Sequence, residues 1–310
     1  MKVYQKLQLI QKISGLTQEK LAEKLEVSFV TLNRWINNKS IPHKRKEEKI
    51  DVLYKEYTGL GVVSDDVLQA KKDIIEKKKK EHKNVLRKIL SSPDIYDEFK
   101  LSLTYNSNSI EGNTLTKDET ADVLFRDISL PNKKLVEQLE AKNHQTALKY
   151  AFSYVAKKNR VDEKFVLKLH SILMNSIRED AGIYRNHPVR IVGANIPTAN
   201  YLKVPDLMEN LIRRINKPKK DGVKKIAIIH SEFEQIHPFS DGNGRAGRLL
   251  MNAMFLKDNI APAVIQQEER RKYIVALHKS QDSGDTSLLE DFICDSILEG
   301  YKIVERDGII

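Results

Sequence analysis

The chain of 310 residues has a single cysteine, a single tryptophan and no apolar run approaching the roughly 18 residues of a membrane-spanning helix. One thiol, Cys294, excludes an intramolecular disulfide. Its setting in LLEDFICDSIL, an apolar helical pattern, makes it a core residue and not a nucleophile. The opening MKVYQKLQLIQKIS lacks the unbroken apolar stretch of a secretion signal. A soluble chain in a reducing, cytoplasmic setting is therefore expected. Alternating strand-type patterns are also scarce, so the fold class expected is mainly α.

What charge there is lies unevenly. Residues 1–90 hold 21 lysines and arginines against 12 acids, whereas residues 91–310 hold 32 against 31. That asymmetry predicts a basic N-terminal module for a polyanion, joined to a nearly neutral body. Within the module, LTQEKLAEKLEVSFVTLNRWINNKSIP predicts two short helices, the first capped by Thr17 and the second by Ser28. Leu21, Ala22 and Leu25 should face inward from the first, and Val30, Leu32 and Trp35 from the second. Two capped helices and a tight turn make a helix-turn-helix. Residues 64–92 read as one long basic helix with a narrow apolar stripe of Leu68, Ile75, Leu86 and Ile89. The expected organisation is a helix-turn-helix domain over 1–62, a basic connecting helix over 63–92 and a catalytic body over 93–310.

Glycine is sparse, 13 in all, yet three fall in HPFSDGNGRAGR, His237 to Arg248. Before it, Ile226, Ile229, Phe233 and Ile236 recur at helical spacing, and Pro238 forces an exit. After it, Leu249, Leu250, Ala253 and Met254 form the buried side of a second helix. A glycine-rich segment entering a helix N-terminus offers free N–H groups and the positive end of the helix dipole to an anion. Asp241 is a hard oxygen ligand suited to Mg²⁺. Arg245 and Arg248 lie three apart, where both can reach a polyphosphate, and His237 can accept a proton near neutral pH. These are the parts needed for phosphoryl or nucleotidyl transfer. Upstream, Glu111 in YNSNSIEGN falls at the negative end of a helix stopped by Gly112, where an acid is locally disfavoured. A residue that breaks a local rule points to a role elsewhere. The segment PVRIVGANIPTANYLKV, 188–204, alternates around a Gly/Asn/Pro turn and reads as a β-hairpin.

The stretch HPFSDGNGRAGR resembles the Fic family motif HPFx[D/E]GNGRxxR at every defined position. The likeness extends through AGIYR (181–185), the hairpin and EERRKYIVAL (268–277). The resemblance implies a helical core with a hairpin flap and transfer of AMP from ATP to a Tyr, Thr or Ser hydroxyl of a protein. Carried over, His237 is the general base, Phe239 packs the loop into the core, and Asp241 holds Mg²⁺. Gly242, Asn243 and Gly244 line the phosphate site, with Arg245 on the polyphosphate and Arg248 on the γ-phosphate. The flap would dock the target as an added strand, Val192, Gly193 and Asn195 bordering the nucleotide, and Tyr273 and Gln281 would border the adenine. Ser107, Glu111 and Gly112 match the family's inhibitory motif [S/T]xxxE[G/N], whose glutamate pairs with the last arginine. The related Doc branch transfers phosphate and carries lysine where this chain has Gly244, which favours AMP transfer.

The opening module resembles the Cro-type helix-turn-helix family, whose pattern LTQ..LA..L.VS it shares. That likeness implies DNA contacts from Ser28, Phe29, Thr31 and Arg34. One module reads a half-site, so DNA use implies a homodimer or a weak binder. Many members have glycine in the turn where this chain has Glu26, and a left-handed backbone there costs about 1 kcal/mol. The leading expectation is an auto-inhibited protein adenylyltransferase acting on a target or on itself. Alternatives are a DNA-binding regulator whose Fic body senses ATP, and an enzyme removing AMP through the same site.

Overall fold

A computed structural model describes residues 2–58, 63–190, 197–218 and 220–306, and the chain divides into two compact units between Val67 and Leu68. The first unit holds α1 (Val3–Ser14), α2 (Gln18–Lys24), α3 (Phe29–Ile36) and α4 (Lys44–Thr58). Thr17 and Ser28 cap α2 and α3 through their side-chain oxygens, as the sequence predicts. Leu7, Ile10, Leu21, Leu25, Leu32 and Ile50 form its fully buried core, with Trp35 and Tyr54 against it. Val30, expected inward, is 66% exposed. The buried stripe of α3 is Leu32, Trp35 and Ile36, and a residue two positions before Leu32 lies on the opposite face. Glu26 does adopt a left-handed backbone, φ 53°. Lys46 Nζ donates to the Leu25 and Glu26 carbonyls at 2.8 and 3.0 Å, and Lys49 pairs with the Glu26 carboxylate at 2.5 Å. The turn thus keeps its geometry without glycine because α4 ties it down.

The second unit runs from α5 (Asp65–Glu81), counted from Leu68, through α6 (Val85–Ser91), α7 (Pro93–Ile110), α8 (Lys117–Phe125), α9 (Leu135–Ala156) and α10 (Glu163–Leu173). It continues through α11 (Val204–Ile215), α12 (Gly222–Ile236), α13 (Asn243–Lys257), α14 (Arg270–Ser283) and α15 (Ser287–Val304). The single helix expected over 64–92 is two. Asn259 ends α5 by donating to the Lys79 and His82 carbonyls, and its Oδ1 accepts from Val85 N at 2.9 Å. Asn84 then caps α6 by accepting from Arg87 N. Buried Leu68 and Ile75 hold α5 in place, and Lys71 and Lys72 form salt bridges with Asp291, Asp295, Asp221 and Glu290.

α13 is the axis of this unit. It packs against α7, α9, α10 and α12, and Leu249 through Leu256 are all buried, so its expected one-sided apolar face is a core helix buried all round. The face of α12 is as expected: Ile226, Ile229, Phe233 and Ile236 are buried. Cys294 is fully buried in α15, its thiol pushed up to about 12 chiefly by burial.

The β-hairpin expected over 188–204 is not supported: no strand occurs among the described residues. Residues 191–196, with Val192, Gly193 and Asn195, lie outside them. The expected second arm ends instead in a 3-10 turn, Tyr201–Lys203, because Asn200 accepts from Leu202 N and Pro205 lies in the first turn of α11. Thr198 Oγ1 still donates to the Val189 carbonyl at 2.8 Å, which brings the two flanks together.

Gly300 lets α15 approach residues 261–262 so closely that a Cβ would stand 1.9 Å from the Pro262 carbonyl oxygen. Gly300→Ala should therefore lower stability by about 1–3 kcal/mol despite its better helix propensity, read as an earlier urea midpoint of the second unit.

Candidate active site

The loop between α12 and α13 begins with strain. His237 caps α12 in the left-handed region, φ 52°, which costs a non-glycine residue about 1 kcal/mol. The buried guanidinium of Arg185 holds it there. Its Nε donates to the His237 carbonyl at 2.7 Å, and its terminal nitrogens donate to the Ile236, Ala199 and His187 carbonyls. A cation thus closes the negative end of α12 and gathers the 197–200 flank onto the same group. The His237 ring places Nδ1 3.2 Å from the Glu234 carbonyl. A carbonyl can only accept, so Nδ1 carries the proton and Nε2 keeps a free lone pair. Burial is the main cause holding this imidazole below its ordinary pKa, which keeps it neutral.

The middle of the loop is fixed by a stack. Phe239 is fully buried and lies 3.6 Å from the His170 ring at an interplanar angle of 2°. His170 Nδ1 accepts from Gly182 N at 2.9 Å, so its proton sits on Nε2, which donates to the Asp241 carbonyl at 2.9 Å. Burial, ahead of opposing contributions from Asp241 and Asp180, brings its pKa down to about 4. Asn243 fastens the same loop from the other side, accepting from Phe239 N and donating to the Phe239 carbonyl, both at 2.9 Å. Gly242 is left-handed, and a Cβ would stand 2.7 Å from Met174 Sδ, so glycine is favoured there on both counts. Asp241 is the exposed member of the loop, and its Oδ1 accepts from Gly242 N at 2.6 Å.

Arg245 and Arg248 enter from the first two turns of α13 and are both buried. Arg245 donates to Glu140 Oε1 at 2.7 Å. Arg248 donates through Nε to Ser107 Oγ at 2.9 Å, and through NH2 to the Ser107 carbonyl at 2.8 Å and to Glu111 Oε1 at 2.7 Å. Glu111 caps the C-terminus of α7, and Gly112 follows at φ 100°. Its carboxylate reaches across to the first turn of α13: a Cβ on Gly244 would stand 2.1 Å from Glu111 Oε1. An anion therefore does lie against this helix N-terminus, and it belongs to the chain itself.

Tyr273 and Gln281 lie on α14 facing α12. The Tyr273 hydroxyl is 2.7 Å from His230 Nε2, its ring is 1% exposed, and Gln281 donates to the Ser231 carbonyl. In the first unit, Ser28 and Thr31 are joined through their hydroxyls at 2.8 Å, Phe29 is 44% exposed and Arg34 is exposed. Four residues that shape the site were given no role from sequence: Arg185, His170, Glu140 and Glu234. Glu234 is buried beside Arg248, its pKa pushed up to about 8 by burial, and Gly247 makes room for its Oε1. The available signals were a histidine and an acid at positions that helical periodicity assigns to apolar faces.

Residues 160–255 match the Fic/DOC family, and residues 12–50 match a helix-turn-helix family. Among curated proteins, the protein adenylyltransferase Fic of Drosophila erecta is 31% identical over 195 residues, 62% of this chain and 39% of that protein. Its counterpart in Drosophila virilis is 30% identical, with coverage of 62% and 40%. The chain thus spans about 40% of the length of these relatives. Among solved structures, a Fic domain containing signaling protein from Bacteroides thetaiotaomicron is 25% identical. It superposes at a TM-score of 0.62, covering 73% of this chain and 98% of that one. Fic-1 from C. elegans, at 19% identity, shares the fold at a TM-score of 0.68, covering 92% and 84%. The chain carries a Fic/DOC family domain at residues 160–255 and a helix-turn-helix domain at residues 12–50.

Proposed function

We propose that this chain is a protein adenylyltransferase held in check by its own glutamate. In the forward reaction the His237 Nε2 lone pair takes the proton of a Tyr, Thr or Ser hydroxyl on a target protein or on the chain itself. The freed oxygen attacks the α-phosphorus of ATP, and pyrophosphate leaves. The names of the curated relatives support AMP transfer, and the neutral, correctly tautomeric His237 supports its role as base.

Asp241 would hold Mg²⁺. The chemistry of the donor fits: a half-exposed carboxylate with one oxygen tied to Gly242 N and the other directed to no protein donor among the described residues. When bound, the ion would neutralise charge on the α- and β-phosphates. Backbone groups of Gly242, Asn243 and Gly244 would receive phosphate oxygens, Arg245 the polyphosphate and Arg248 the γ-phosphate. Tyr273 and Gln281 stand as the adenine-side residues in this proposal, and the 188–204 segment as the place where a target docks.

One observation carries the reading. Arg248 already donates to Glu111, and the Glu111 carboxylate occupies the first turn of α13 where a terminal phosphate would otherwise pair. A triphosphate must displace that carboxylate to gain the arginine. Glu111→Gly removes one charge-assisted hydrogen bond, a loss of about 1.5–3 kcal/mol, so label transfer from α-labelled ATP should rise by about 10- to 100-fold. Adding His237→Ala should then cut transfer by about 10²- to 10⁴-fold while calorimetry still registers ATP binding. Unchanged transfer in Glu111→Gly would remove the brake from the reading.

The pH profile is a separate test. Because the imidazole pKa is lowered, His237 stays neutral below the ordinary histidine value of about 6.5. Transfer by Glu111→Gly should hold level from about pH 8 down through about 6.5 and fall only at lower pH. A midpoint above about 6.5 would contradict a buried neutral base.

The helix-turn-helix domain supports DNA binding as a second activity, with Ser28, Phe29, Thr31 and Arg34 on the reading face. In a gel shift with a two-site palindromic duplex, Arg34→Ala should weaken retention by about tenfold. Equal retention of wild type and variant would place the contacts elsewhere.

A further inference from the structure

The break between α5 and α6 creates a surface that an unbroken helix would not have. Where the chain turns at residues 82–84, α6 lies beside the C-terminal ends of α9 and α13, and a groove of about 650 Å³ opens between them. Its floor is apolar, built from Leu86, Leu90, Val155 and Leu256; the first, third and fourth are buried and Leu90 is 40% exposed. Its rim is cationic. Lys83 and Arg87 come from the α6 side and Lys158 and Lys257 from the other, and no carboxylate among the described residues lines the groove. The nearest acid by sequence, Asp258, lies outside the lining, with its Oδ2 near Gly222 at the start of α12.

Three of these four cations have no carboxylate partner among the described residues. Neighbouring lysines on α5 are paired, Lys71 and Lys72 with α15 carboxylates and with Asp221, the cap of α12, and Lys78 with Glu305. Among the described residues no salt bridge reaches Lys83, Arg87 or Lys158, while Lys257 donates to the Asn159 carbonyl and feels the charge of neighbouring Asp258. Lys158 also adopts φ 58° just past the end of α9, a position where glycine is the less costly residue. A lysine is thus placed on this rim against its backbone preference.

We propose that this groove is a docking site for an acidic amphipathic segment of a partner protein. Its apolar side chains would cover Leu86, Leu90, Val155 and Leu256, and its carboxylates would meet the four rim cations. The apolar floor favours a peptide over a nucleic acid, whose phosphates would satisfy the rim and leave the floor uncovered. The site stands apart from the Arg248 and His237 machinery, so it is open to test whether or not AMP transfer is found.

The test is fluorescence anisotropy of the full chain with a short dye-labelled helical peptide, leucine at every third or fourth position and glutamate between. Saturable binding is expected at low salt. Arg87→Glu combined with Lys158→Glu should weaken it by at least about tenfold, as should Leu90→Asp alone. All three positions are exposed, so circular dichroism and the thermal midpoint should stay as in the wild type. Three results would overturn the proposal: no saturable binding to the wild-type chain, equal affinity in the variants, or equal affinity for a peptide with glutamine in place of leucine. A single-stranded oligonucleotide that displaces the peptide, and itself loses affinity in the double charge reversal, would make the groove a nucleic-acid site instead.

Discussion

The Arg248 guanidinium is buried to 5% exposure in the middle of the second unit, and a buried cation must have a partner or lose more in desolvation than its packing returns. Ser107 supplies two acceptors and Glu111 a charge. Much of the surrounding architecture follows from that need. α7 must end where Glu111 can lean across to α13, so Gly112 turns the chain away at once. Residue 244 must carry no side chain, because the carboxylate occupies that space, and residue 247 must carry none because Glu234 does. Around this charge lies a shell of neutralised groups. Burial takes His144 and His230 down to about 3, so neither adds a competing cation near neutral pH, and it pushes Glu234 up to about 8.

Preorganisation of the loop comes from elements far apart in sequence. Arg185 fixes the strained end of α12, His170 supports Phe239 and the Asp241 backbone, and Asn243 closes the loop on itself. Each constraint acts on a backbone group next to a residue with proposed chemistry, which leaves the His237 Nε2 and an Asp241 oxygen without a partner among the described residues.

How much of this was legible in the sequence depends on distance along the chain. The 237–248 stretch could be read because its parts are compressed into twelve residues and its helices obey a clear period. Glu111 could be suspected because an acid at a helix C-terminus is locally unfavourable, and its long-range partner was suggested by family resemblance alone. Arg185, His170 and Glu140 could not be read in this way, since nothing in their local spacing reports which backbone they will meet. The split between α5 and α6 was missed for a related reason: Asn259, some 180 positions away, ends the first helix. Alternation over 188–204 suggested a hairpin, but Asn200 and Pro205 supply a turn and a helix start that override it at the second arm.

The vacant side-chain position at residue 244 has an evolutionary consequence. Any residue larger than glycine there would evict the Glu111 carboxylate, lysine included. A descendant of this chain could not enlarge that position and still keep the Glu111 carboxylate where it now lies. A side chain at residue 244 and the present Glu111–Arg248 ion pair are therefore alternatives that cannot be accumulated.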